Sequence, residues 1–236
     1  MLKIKNLYKN YKDFKCLKDV SFEILKGETK ALIGVNGSGK STLIECVCGV
    51  KNADSGTISV NNIANDDKRQ TKVYKQSIGY VSQSFGLFND LTVKENLEYM
   101  CAVYGIDFKK ADEIMKLCEL EFCAKKLAGN LSGGYRQLLS FACAIVHKPK
   151  LIILDEPTSA MDPIFRKKFW QIIRTTKSWG STILIVTHYL EELLECDKFV
   201  CLNDGKITYD GNVQDFKKDG FIDIEQILSK YSEGEA

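Results

Sequence analysis

Between residues 34 and 42 the chain reads GVNGSGKST, which fits the spacing G-x-x-x-x-G-K-[S/T]. A run of this kind can hold a polyphosphate. Gly34, Gly37 and Gly39 free the backbone to take positive φ and to approach an anion closely. Successive amide hydrogens, followed by a helix N-terminus, then form a nest for negative charge. Lys40 can reach the β- and γ-phosphates of a nucleotide, the Ser41 hydroxyl can ligate Mg²⁺, and Thr42 can contact a phosphate. Asn36 and Ser38 complete the stretch that such a loop lays against its ligand.

A second run, LIILDE (151–156), is an apolar strand delivering two adjacent carboxylates at its C-terminal end. Neighbouring side chains on a strand point to opposite faces, so the two need not share a task. Asp155 is expected to hold Mg²⁺ through water and Glu156 to polarise the attacking water. Taken alone, the run reads equally as a strand meeting a solvated turn. Beside a phosphate loop it is the second half of an ATP-hydrolysing site. A third run, LSGGYRQ (131–137), sets two glycines after a Ser that can cap a helix. Taken alone this is an ordinary helix start, and it also offers a second set of amide donors to a second anion.

These residues need a sheet to carry them. Leu2 and Ile4 alternate with Lys3 and Lys5, and Val20, Phe22 and Ile24 with Ser21 and Glu23, predicting a small antiparallel layer. ETKALIG (28–34) reads as a strand entering the glycine turn, KSTLIECVCG (40–49) as the helix leaving it, and TISV (57–60) and IGYVSQ (78–83) as further strands. Helical spacing follows over 92–104, 108–120 and Ser132–Val146. In the last of these Leu138, Phe141, Ala142, Ile145 and Val146 form one stripe. LIILD and TILIVT (182–187) are short apolar runs expected of covered parallel strands. Asp162-Pro163 supplies an N-cap and first position for a helix reaching about Ser178, and NDGK (203–206) marks a hairpin. One or two short helices are expected from about 213.

With phosphate loop, Asp-Glu strand and LSGGYRQ together, the sequence resembles the ATP-binding-cassette (ABC) ATPase family over nearly its whole length. GVNGSGKS resembles the Walker A motif, LIILDE the Walker B motif with its catalytic glutamate, LSGGYRQ the signature, and SAMD (159–162) the D-loop. The resemblance implies further roles. Gln83 would be the Q-loop glutamine contacting Mg²⁺, and His188 in VTHYLEE the switch histidine at the γ-phosphate. Asp162 would belong to the D-loop at the nucleotide. Tyr11, or its competitor Tyr8, would stack on adenine. It also implies two nucleotide-binding domains meeting head to tail, so that Ser132, Gly133 and Gly134 act on the γ-phosphate bound by the other subunit. The implied fold is α/β: a P-loop NTPase core with a mostly parallel sheet (1–83 and 147–236), an antiparallel N-terminal β layer and an inserted α-helical lobe (84–146).

The chain departs from the common signature at Tyr135 and Leu138, where Gln and Arg are usual, and at Cys143 and Met161. The absent cations predict weaker salt bridges to neighbouring loops, with no group that touches phosphate removed. SGGYRQ followed by an apolar helix, and NDLTVKENLEYMCAVYGI (89–106), resemble the multidrug exporter branch that serves ABC-2-type permeases. A separate transmembrane permease and a second cassette, most simply a homodimer, are the partners implied. Phe85, Leu87 and Phe88 can line a groove for a membrane partner's helix or belong to the core.

Composition narrows the alternatives. The 236 residues are 44% apolar and 27% charged with a net charge of +2, which gives no reason to expect nucleic acid as a partner. No apolar run approaches the roughly 18–20 residues of a membrane span, and the charged N-terminus lacks a signal-peptide core. The expected location is the cytoplasm, peripheral on the membrane through a permease. Nine cysteines without Cys-x-x-Cys spacing read as reduced structural thiols. His147, after an apolar helix, reads as a helix C-terminal cation or cap. Against the transport reading stand a cassette ATPase acting on ribosomes or DNA, which usually carries two cassettes or long insertions, and a nucleotide-binding regulatory module. Intact Glu156 and His188 argue against the module.

Overall fold

Alternation along Leu2–Tyr11 (β1) and Phe14–Ile24 (β2) buries Leu2, Ile4, Val20, Phe22 and Ile24 and leaves Lys3, Ser21 and Glu23 between them in water. The two strands pair antiparallel, and β1 pairs on its other edge with Ser55–Val60 (β4), which in turn meets the two-residue Ile63–Ala64 (β5). This is the expected antiparallel layer. The computed structural model describes residues 1–159, 161–218, 221, 222, 227 and 229.

The middle of the second sheet is built from strands with no exposed face. Thr29–Ile33 (β3), Leu151–Asp155 (β7) and Thr182–Val186 (β8) are buried at every position. They run parallel with Ile78–Val81 (β6) and Lys198–Asn203 (β9), and Lys206–Asn212 (β10) closes the edge antiparallel through the Asp204-Gly205 hairpin. The strand order β10-β9-β3-β8-β7-β6 sets β3 and β7 on either side of β8. Their C-terminal ends therefore emerge side by side, one into the glycine turn and one into Asp155-Glu156.

Helix Lys40–Val47 (α1) leaves the glycine turn, and Thr71–Gln76 (α2) precedes β6. Helices Val93–Tyr104 (α3), Lys109–Leu117 (α4) and Gly133–Ile145 (α5) pack together between β6 and β7 in the chain. Leu138, Phe141, Ala142, Ile145 and Val146 are buried, as their spacing predicts, in an apolar core continuous with Ile152 and Leu154 of the sheet. Leu138 and Cys143, where cations are usual in the resemblance, are part of that core. Pro163–Ser178 (α6) starts as predicted, with Asp162 Oδ1 accepting from the Ile164 and Phe165 amides at 2.9 Å each.

Two expectations change. The stretch from 213 begins with a single 3₁₀ turn, Val213–Phe216, followed by the two-residue strands Lys217–Lys218 (β11) and Phe221–Ile222 (β12). Phe216 is held there by the rings of Phe199 and Tyr209, at 5.1 and 5.2 Å. The rest of the expected short helices lies outside the described residues. His147 is not a helix-terminal cation. Its Nε2 lies 3.2 Å from the Ile78 carbonyl and its ring stacks on Tyr104 at 3.8 Å. Burial there pushes its pKa down to about 4, so it is neutral at pH 7. None of the nine cysteines is in a disulfide, and all but the half-buried Cys48 are buried.

Candidate active site

The glycine turn owes its shape to two different demands. Gly37 and Gly39 take φ of +84° and +106°, the region that favours glycine. Gly39 is the N-cap of α1, and a β-carbon on it would lie 3.0 Å from the Cys16 carbonyl. Gly34, expected to need positive φ, does not take it. It is required because a β-carbon would run into the Leu202 carbonyl of β9.

The turn faces a cavity of about 340 Å³ that also receives the ends of β6 and β7. Asn36, Gly37, Gly39, Lys40, Ser41, Thr42, Gln83, Asp155 and Glu156 all line it. Lys40 is buried and its Nζ donates to the carbonyls of Gly34 at 2.8 Å and Val35 at 2.9 Å. Burial lowers its pKa, and the Glu156 and Asp155 carboxylates oppose that. Asp155 is buried as well. Desolvation raises its pKa and the adjacent Glu156 adds to this, while the Tyr80 hydroxyl, donating at 3.3 Å, and Lys40 lower it.

Glu156 stands at φ +49°, left-handed backbone for a non-glycine residue. Such conformations cost of order 1–3 kcal/mol and persist where the surroundings dictate them. Here its amide donates to Val186 O at 2.8 Å, and its carbonyl accepts from the Ser159 hydroxyl at 3.0 Å. The side chain thereby turns toward His188, whose Nδ1 lies 3.1 Å from Glu156 Oε1. A cation, hydroxyl and amide donors, two carboxylates and a histidine thus converge at one glycine-led helix start.

A family model described as ABC transporter matches residues 17–159. The chain belongs to the ABC transporter family. The probable multidrug ABC transporter ATP-binding protein YbhF of Escherichia coli K12 is 33% identical over 221 residues, 92% of this chain and 38% of that protein. The sulfate/thiosulfate import ATP-binding protein CysA of Synechocystis is 33% identical over 223 residues, 90% of this chain and 61% of that protein. The dimeric post-hydrolysis structure of the ATP-binding cassette MJ0796 bound to ADP and Pi superposes with a TM-score of 0.82 at 31% identity. It covers 90% of this chain and 98% of that one. The chain thus spans less than two thirds of the length of the curated relatives named here, and it is an ABC-type ATPase.

The other residues singled out in this cassette lie outside the cavity. The Ser38 side chain is buried beneath the turn against Gly34, and its amide is already engaged with Val35 O at 3.2 Å. Tyr11 lies at the tip of the β1–β2 hairpin with the Lys9 and Lys51 ammonium groups 5.7 and 5.1 Å from its ring centroid. Tyr8 pairs with Ser55 on the β4 side of the same strand. Asp162 is occupied in capping α6. Ser132 is the N-cap residue of α5, yet its hydroxyl makes no capping bond. With no i−4 acceptor before them, the Gly133 and Gly134 amides have no partner within the helix.

One cavity residue and one neighbour of the cavity escaped the sequence reading. Cys16 lines the pocket with its Sγ 3.4 Å from Thr42 Oγ1, and Tyr80 reaches Asp155 from the neighbouring strand. Alternation in IGYV is the only sequence signal for Tyr80. Nothing local marks Cys16. Of the apolar trio after Gln83, Leu87 packs on the core and Phe88 is exposed, edge-on to Tyr99 at 4.7 Å. Phe85 lines a separate apolar cavity of about 410 Å³ with Val50, Met100 and Tyr104, and its carbonyl accepts from the Ser140 hydroxyl at 2.5 Å.

Proposed function

We propose that this chain is the ATP-binding and ATP-hydrolysing subunit of a membrane transporter, closing as a head-to-tail homodimer to drive a separate permease in export. The observation that carries the catalytic part is the convergence of Lys40, Ser41, Gln83, Asp155 and Glu156 on one cavity. The Ser41 hydroxyl, Gln83 amide and Asp155 carboxylate are hard oxygen donors of the kind Mg²⁺ takes, so the residues fit that ion and would hold it. Bound there, Mg²⁺ would offset phosphate charge.

The chain's own groups supply the remaining steps. Lys40 exchanges the Gly34 and Val35 carbonyls for the β- and γ-phosphates, and the Gly37 and Gly39 turn lays amides along the phosphate chain. Glu156 accepts a hydrogen bond from the attacking water and draws off its proton. His188 orients that carboxylate and contacts the γ-phosphate. Such a base contributes typically 10²–10⁴ in rate. Tyr11 serves as the adenine platform. Ser132, Gly133 and Gly134 meet the γ-phosphate of the other copy, with Asp162 in the adjoining loop, and complete a charge shell that one copy leaves open. Binding energy becomes a closing motion.

Export is favoured by the SGGYRQ helix, by the 89–106 segment and by the likeness to YbhF. An import protein is alike at the same identity, so the direction rests on the first two of these features. The apolar cavity at Phe85 is the dock for a permease helix, which would hold the chain at the cytoplasmic face of the membrane. The test is partner capture. The tagged Glu156→Gln variant is trapped with ATP in its host, membranes are gently solubilised, and co-purifying proteins are identified by mass spectrometry. A polytopic membrane protein in stoichiometric amount is expected. Ribosomal or DNA-bound proteins, with no membrane protein, would overturn the transport reading.

A further inference from the structure

The start of α5 is not held by hydrogen bonds from its own N-cap side chain. On one side Arg136 donates to Asn89 Oδ1 at 3.1 Å, and toward α6 what holds it is aromatic. The Phe165 ring of α6 lies against Gly134 so closely that a β-carbon there would sit 3.0 Å from Cδ1 and 3.2 Å from Cε1. The same ring meets Tyr135 edge-on, with centroids 4.8 Å apart at 87°, and Tyr135 meets Phe122 at 5.2 Å and 66°. On its other side Lys168 Nζ lies 5.7 Å from the Phe165 centroid and pairs with Glu119 at 2.8 Å. The Phe165 amide is one of the two held by the Asp162 carboxylate.

We infer that Phe165 is a positioning residue for the Ser132–Gly134 turn. It fixes where the free amides at the start of α5 point and couples them to the Asp162 loop that follows Glu156. The physical reason is that neither Gly134 nor Ser132 can take the place of the ring. Gly134 has no side chain to fill the space of a lost ring, and Ser132 makes no cap bond to hold the turn by itself. Aromatic rings carry few rotatable bonds and have preferred edge-to-face geometry, so they set orientation as well as distance. Tyr135, where the common signature has Gln, is the residue that makes this contact available. The inference rests on the reading that the turn meets a phosphate held by a second copy.

The test uses the full chain carrying Glu156→Gln, with ATP-driven dimerisation followed by sedimentation and nucleotide affinity measured on the monomer. Phe165→Ala is expected to weaken dimerisation about tenfold, because a symmetric dimer contains the edge-to-face contact twice. Monomer nucleotide affinity should stay within about twofold, a split that a general loss of structure would not produce. Phe165→Tyr restores dimerisation. Tyr135→Leu reproduces the loss, and the double variant loses no more than the larger single, since contacting residues are non-additive. If Phe165→Ala does not fold, Phe165→Leu keeps the apolar volume without the ring and should show the same loss.

Ser132→Arg separates this inference from its premise. Should Ser132→Arg leave dimerisation intact, the signature reading fails and takes the inference with it. Should Ser132→Arg abolish dimerisation while Phe165→Ala stays within twofold of its parent, the role of Phe165 alone is overturned. Independent, additive losses at Tyr135 and Phe165 overturn it too.

Discussion

Helices α1, α2 and α5 begin with no side-chain cap and no acidic residue in the first turn, whereas α3, α4 and α6 begin under an oxygen of their own. Thr92 and Glu95 form a complete capping box on α3, Asp107 accepts from the Lys109 amide at 2.9 Å on α4, and Asp162 takes two amides on α6. A helix start carries about half a positive charge and several unpaired donors. A cap satisfies them internally. Of the three open starts, α2 is a helix of only six residues, and the longer α1 and α5 are the two preceded by glycine-rich motifs, so these two retain the capacity to bind an anion that a capped start has used up. They also differ from each other. α1 opens into a cavity that gathers a cation and two carboxylates, Lys40, Asp155 and Glu156, from one chain. α5 opens away from that cavity, bounded by the rings of Tyr135 and Phe165. It can add donors to a phosphate but has no base of its own.

The comparison can be broken most sharply at the base. Glu156→Gln should lower the ATP turnover rate by about 10²–10⁴ while nucleotide still binds, measured by phosphate release and by equilibrium binding. An unchanged rate would remove α1's claim to a hydrolytic site. A smaller effect tests the open start of α1 itself. Gly39→Ala forces a β-carbon into positive φ against Cys16, and should cost on the order of 2 kcal/mol, roughly thirtyfold in nucleotide affinity. Gly27→Ala, at positive φ with open space around it, should leave that affinity alone.

Loss of fold can be told from loss of site by pH. His147 titrates near 4 in the folded chain, below its ordinary value near 6.5, because burial disfavours its charged form. The unfolded chain therefore binds the extra proton between these values. Stability is fully present above about pH 6.5 and falls as pH drops toward 4, by on the order of 3 kcal/mol. His147→Phe, which keeps a ring on Tyr104, should flatten this limb in a series of thermal melts. The smallest effects read the caps directly. Thr92→Ala and Asp162→Ala should each cost about 1 kcal/mol in denaturant unfolding. Ser132→Ala should stay within about 0.5 kcal/mol, since no cap bond is lost. Equal losses at all three would erase the distinction between open and closed helix starts.

Much of this was legible in the residues. The glycine turn, the strand ending in Asp155-Glu156 and the Asp162 cap depend on conformations of a few consecutive residues, and local spacing reports these. The all-apolar runs at 151–154 and 183–186 also announce that they are covered on both faces. The stretch after 213 was not legible, because Phe216 is held by Phe199 and Tyr209 from other strands. His147 misled for the same reason. Its helix-end position favours a cation, and only the stacked Tyr104 and the surrounding burial make it neutral.

The sequence by itself determined that a phosphate loop, an Asp-Glu strand and a second glycine-led helix start belong to one α/β chain. Motif chemistry and side-chain periodicity act over short spans, so a single sequence displays them. Tertiary structure decided which groups share a cavity. The order β3-β8-β7-β6 draws Lys40, Gln83 and Asp155 together from distant segments and adds Cys16 and Tyr80. It also decided why Gly34 must be glycine, and that the ring over Gly134 comes from α6. Contacts between segments far apart in the chain follow from how whole faces pack, and that leaves no periodicity to read.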